Sequence, residues 1–107
     1  MAKKKKAHAR HHVRISVDRH GNFTYAPSFL NVEPGDRVRF SSPSPNFAIV
    51  FKGASPGDKL ALSDGDPNLE IGEDAALGIY SYGAAVFTGS QLFLDPSSGD
   101  IGVGRGD

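Results

Sequence analysis

The sequence predicts an all-β protein: an antiparallel Greek-key sandwich or barrel of about seven or eight strands. Three observations point there. Apolar and polar residues alternate over short stretches, the period-2 pattern of strands with one buried face. The 13 glycines and 7 prolines of the 107 residues fall mostly between those stretches, where they make turns. Only Glu73–Leu77 reads as helical, and it is too short for more than one or two turns.

Each element follows in order. Val13, Ile15 and Val17 alternate with Arg14, Ser16 and Asp18, a first strand. His20-Gly21-Asn22 is a tight turn, Phe23–Tyr25 a short return, and Phe29–Val32 a third extended piece. Glu33-Pro34-Gly35-Asp36 fits a type II turn, with proline at its second position and glycine where φ is positive. Val38 and Phe40 alternate with Arg37, Arg39 and Ser41, and Ser42–Asn46 is a loop broken by Pro43 and Pro45. Phe47–Phe51 is apolar throughout, as in a strand covered on both faces. Leu60–Leu62 is a weak strand and Asp64–Asn68 a loop. Ile79–Phe87 is the longest extended run, and Gln91–Leu94 closes the sheet. Asp95–Asp107 reads as a loop or frayed end.

Charge divides the chain. The formal net charge is zero, but Met1–Arg14 holds six Lys/Arg and no acid, while the rest holds six Lys/Arg against twelve Asp/Glu. Residues 1–12 are therefore expected to be a disordered, basic, His-rich tail, because they cannot bury enough apolar surface to offset the entropy of ordering. Residues 13–95 form the sandwich, and residues 96–107 a Gly-rich C-terminal tail. The absence of cysteine excludes disulfides, thiolate catalysis, zinc fingers and iron–sulfur sites. No apolar run approaches the roughly 20 residues of a membrane span. The basic start leads into no apolar core of a signal peptide, which sets the expectation of a cytoplasmic protein.

Few residues suggest chemistry. His20 is the only histidine outside the basic stretch, and no nucleophile–base arrangement surrounds it, so no enzyme is expected. His8, His11 and His12 have the imidazoles that copper, nickel or zinc would take; as a solvated tail they have no fixed geometry. Lys3, Lys4, Lys5, Lys6 and Arg10 could bind an anionic polymer weakly by counterion release, without aromatic residues for base stacking. Asp64-Gly65-Asp66-Pro67-Asn68 opens like a calcium loop, but Leu69 and Ala75 stand where glycine and glutamate are required. Arg105-Gly106-Asp107 matches an adhesion tripeptide, short enough to arise by chance.

Three stretches in order resemble the cupredoxins, the blue-copper β-sandwich family. Val32-Glu33-Pro34-Gly35-Asp36-Arg37-Val38-Arg39-Phe40 is similar to that family's V-x-P-G-D-x-V-x-F hairpin. Asn46–Phe51 resembles the strand that carries the first copper histidine, and Gly78–Phe87 the strand and loop that carry the cysteine and second histidine. The resemblance covers roughly Val13–Leu94 and implies a cupredoxin-like sandwich. It also implies that Phe47, Ala84 and Phe87 occupy the ligand positions, none of them with a donor atom, and that no methionine follows for an axial ligand. The expected function is a non-catalytic binding or structural module that has lost type 1 copper and carries no cofactor. Its partner would be a protein or small ligand at the Phe47/Phe87 end. Two alternatives stand beside it: weak copper or nickel binding through the histidines, and anionic-polymer binding through the lysines.

Overall fold

A computed structural model describes residues 8–44 and 46–104, apart from the side chains of Ser97 and Ser98. The described residues form nine strands: β1 (Arg10–Val17), β2 (Phe23–Ala26), β3 (Phe29–Val32), β4 (Arg37–Ser41), β5 (Asn46–Phe51), β6 (Ala61–Ser63), β7 (Asn68–Glu70), β8 (Gly78–Phe87) and β9 (Leu92–Val103). They make two sheets, ordered β2-β1-β4-β7 and β3-β9-β8-β5-β6. No helix occurs among the described residues, so none is long and apolar enough to cross a membrane. Glu73–Leu77 contributes only a turn closed by the Ala75 amide on the Gly72 carbonyl.

The core lies between the sheets and is built from alternate residues of each strand. Val13 and Ile15 of β1, Val38 and Phe40 of β4 and Leu69 of β7 meet Phe47, Ile49 and Phe51 of β5, Tyr82, Ala84 and Val86 of β8 and Ile101 of β9. Tyr82 stands at the centre, edge-on to Tyr25, Phe40 and Phe51 at centroid distances of 5.5, 5.4 and 5.6 Å. Such pairs add to the burial energy of the rings themselves. The Tyr25 hydroxyl donates to Asp95 Oδ2 at 2.7 Å and joins the sheets across the core edge. Burial and then that carboxylate push the Tyr25 phenol up from its ordinary value.

The structure corrects four expectations. Two pairs, β1–β4 and β3–β9, run parallel within otherwise antiparallel sheets. The chain leaves β1 through β2, crosses to the other sheet as β3, and returns as β4, which supplies the long connection that a parallel pair requires. The N-terminal boundary at Val13 is too late, because Arg10, His11 and His12 are already paired with Arg37, Val38 and Arg39. The C-terminal boundary at Asp95 is too early, because β9 runs on to Val103. Asp95-Pro96-Ser97-Ser98, in the stretch expected to be a loop or frayed end, is an irregularity inside that strand: the register with β8 shifts between Tyr82↔Gly99 and Ala84↔Asp95. A proline is tolerated in a sheet at such a bulge, where no ladder hydrogen bond is required. Gly83 faces this irregularity, and a Cβ there would run into the Asp95 and Pro96 carbonyls. Finally, β7 starts at Asn68, the last residue of the expected Asp64–Asn68 loop; three residues are too few to show a period.

Lys3, Lys4, Lys5 and Lys6 and the tripeptide Arg105-Gly106-Asp107 lie outside the described residues.

Candidate functional site

The three positions suggested by the cupredoxin resemblance do not share a face. Phe47 pairs with Val86, and Ile49 with Ala84, so Phe47 and Ala84 are diagonal neighbours on the inner side of the β5–β8 ladder. Both are buried among the core side chains. Phe87 follows Val86 and therefore points to the opposite side of the sheet, where it is 43% exposed beside its β9 partner Leu92. Phe47 and Phe87 are at the same end of the sheet, but the strand alternation prevents a common pocket for the two rings.

The three histidines also separate. His8 Nε2 is 3.1 Å from Glu73 Oε2, and its ring lies over Gly35. His11 points inward, with Nε2 2.9 Å from Asp36 Oδ2. His12 points outward, with Nε2 2.6 Å from Ser41 Oγ. Among the described residues no group of three or more His, Asp or Glu side chains is placed to hold a metal ion.

Asp36 explains why the N-terminal residues join the fold. It closes the Glu33–Asp36 turn, in which Gly35 adopts a φ of +89°, and its carboxylate is buried. That carboxylate accepts the Ala9 amide at 2.9 Å and the Glu33 amide at 3.0 Å, and it pairs with His11. Burial by itself would raise the Asp36 pKa. The hydrogen bonds from His11, Glu33 and Ala9 outweigh it and hold the carboxyl below its usual value. The Arg37 amide donates back to the Ala9 carbonyl, and the β1–β4 ladder starts from there.

This docking creates a cationic surface that sequence reasoning missed. On the outer face of the four-stranded sheet, Arg10 adjoins Arg37, His12 adjoins Arg39, and Arg14 adjoins Ser41. In the sequence, Arg37 and Arg39 are simply the polar members of an alternating strand. No periodicity could reveal their neighbours, because the signal is a pairing between segments far apart in sequence. Arg37 Nε lies 3.2 Å from Glu70 Oε2 across the β4–β7 pair. Among the described residues, Arg10, Arg14 and Arg39 make no ion pair. An open cavity of about 590 Å³ lies over this face, lined by Arg10, His12, Arg37, Arg39, Lys59 and Asn68 among others.

The Asp64–Asn68 loop has a structural use. Asp66 bonds through its backbone to Ser63, and its carboxylate takes the Lys59 ammonium at 2.7 Å. His20 lies in the turn after β1, where its amide donates to Asp18 Oδ1 at 2.8 Å.

No family model and no curated protein matches the chain. Solved structures do. A pseudoazurin from Sinorhizobium meliltoi superposes with a TM-score of 0.52 at 18% identity, covering 91% of this chain and 75% of that one. The chain thus has a cupredoxin-like β-sandwich fold, as the three sequence stretches imply.

Proposed function

We propose that this chain is a non-catalytic binding module on a cupredoxin-like scaffold that holds no type 1 copper. The observation that carries the reading is the placement of Phe47 and Ala84. Both are packed into the core between the sheets, while Phe87 is on the other side of β8. A blue-copper centre needs two imidazoles and a thiolate converging on one point. Two apolar side chains in a closed core and a third facing away do not fit that donor set.

Copper(II) titration of the full chain tests this. The expected result is no intense visible charge-transfer band and no stoichiometric site beyond what His8 and His12 supply. Stoichiometric, tight copper binding that survives His8→Ala and His12→Ala together would overturn it.

A second reading, anionic-polymer binding at the N-terminal end of the chain, is favoured by one observation. Arg10 and Arg14 stand in an ordered strand beside two further arginines. Metal binding by the histidines has less support, since their rings turn to three different partners.

A further inference from the structure

We propose that the outer face of the four-stranded sheet docks the phosphate backbone of double-stranded nucleic acid, with Arg10, Arg14 and Arg39 as the principal anion-binding groups. This rests on the anionic-polymer reading and moves its centre from the lysine-rich tail to the sheet.

The first argument is geometric. Arg10, His12 and Arg14 project from β1 at every second residue, and Arg37 and Arg39 from β4 beside them. The rows are ~4.8 Å apart, and successive side chains in a row are ~6.6 Å apart. Four guanidiniums and an imidazole thus rise from one face whose backbone is already ordered by pairing, so that binding has only their own rotamers left to fix.

The second argument concerns energy. Like charges on facing strand positions repel, so setting Arg10 beside Arg37 works against the fold. The chain has twelve Asp/Glu side chains with which to neutralise them, yet among the described residues Glu70 alone makes an ion pair with the array, while Asp58 and Glu73 line a cavity beside Arg10 and Arg37. The uncompensated charge lies over β1 and the adjoining part of β4. A ligand that brings negative charge relieves the repulsion.

The third argument selects the ligand. Arginine presents a rigid fork of donors that matches phosphate oxygens in pairs. The outward strand positions of this sheet hold no Phe, Tyr or Trp: Arg10, His12, Arg14, Ser16, Thr24, Ala26, Arg37, Arg39, Ser41, Asn68 and Glu70. Single-stranded nucleic acid is held largely by bases stacked on a series of aromatic rings, and this face offers only the His12 imidazole, which is tied to Ser41 Oγ. A duplex keeps its bases stacked on each other and shows its phosphates, so charge and forked hydrogen bonds suffice. In the sequence, the Lys3–Lys6 run precedes Arg10 by only a few residues.

The test is fluorescence anisotropy of the full chain with a short labelled DNA duplex of mixed sequence, from about 50 mM salt upward. Binding is expected to weaken steeply with salt. Arg14→Thr with Arg39→Thr, which keeps strand-compatible side chains, should weaken it about tenfold or more and reduce the log–log salt slope by about 2. Arg37→Thr should have a smaller effect, because Glu70 already neutralises it. An unchanged thermal midpoint in the double variant excludes unfolding as the cause. Parental affinity and slope in the double variant, with binding lost only when Lys3–Lys6 become serine, would overturn the sheet proposal and leave the tail reading standing. No duplex binding at the lowest salt would overturn both. Tighter binding of the single strand, or equal binding of polyglutamate, would overturn the choice of ligand.

Discussion

On the outer face of the four-stranded sheet, alternate positions hold Arg10, His12, Arg14, Arg37 and Arg39. On the outer face of the five-stranded sheet, Val50, Ala85, Phe87, Leu92 and Leu94 form an apolar region at one end, with the polar Asn31, Ser81 and Asp100 beyond it. Both faces come from the same period-2 alternation, and both sheets bury equally apolar inner rows. The difference therefore owes nothing to the core. Leu92 and Leu94 are 60% and 68% exposed, and Phe87 is paired with Leu92 across β8 and β9, so this apolar row faces outward with no layer of the described residues over it. Where the outer side chains are apolar, adjacency costs nothing; where they are guanidiniums, adjacency needs a reason, and ligand binding is the reason proposed above.

The comparison can be broken most severely at Gly83. A Cβ there meets the Asp95 and Pro96 carbonyls of the neighbouring strand, so Gly83→Val should cost about 3 kcal/mol or more or prevent folding, as read by urea unfolding. Stability near that of the parent would mean that β9 can move away from β8, and that the apolar face is softer than described.

The cationic face has its own weak point, Asp36. Asp36→Asn removes the charge that holds His11 and leaves poorer acceptors for the Ala9 and Glu33 amides, for a cost of about 2 kcal/mol. Because the folded carboxyl is held below its ordinary value, its contribution is fully present above the unfolded pKa of ~3.9 and is lost as pH falls through the lower folded value. The parent should therefore lose stability over that acid range, and the variant should lack this component. Denaturant midpoints between about pH 2 and pH 6 check it. The same variant should loosen the attachment of Arg10 to the sheet and weaken duplex binding.

The smallest effect sharpens the contrast. Leu94→Lys places a cation on the exposed apolar face and should change stability by no more than about 0.5 kcal/mol. If charge alone drives duplex binding, Leu94→Lys will raise affinity as much as Arg39→Thr lowers it. If the ordered array matters, affinity will stay nearly unchanged.

Much of the fold was legible in the residues. Val13–Val17, Phe29–Val32, Val38–Phe40 and Ile79–Phe87 carry their alternation openly, and Gly21 and Gly35 hold the positive φ that their turns require. The failures share a cause. Arg10–His12 show no apolar period because their strand is secured by a parallel partner and by Asp36. Asp95–Ser98 carry turn chemistry inside a strand, because a bulge needs the same residues as a turn. Of the candidate residues, Phe47 and Ala84 lie on the adjacent strands β5 and β8, a pairing that no local pattern reveals, and Phe87 is separated from them by a single step of alternation.

By itself, the sequence determined the all-β class, the order of most strands, the turns and the resemblance to cupredoxins, because these depend on local periodicity and backbone preference. It also determined that the basic residues gather near the N-terminus. Only the tertiary structure decided what those residues face. Pairing β1 with β4 is a long-range choice stabilised by one buried carboxylate, and it turns charges scattered over about thirty positions into one surface. Local pattern cannot encode such a surface, since each arginine looks like any solvent-facing residue until its neighbour arrives from another part of the chain.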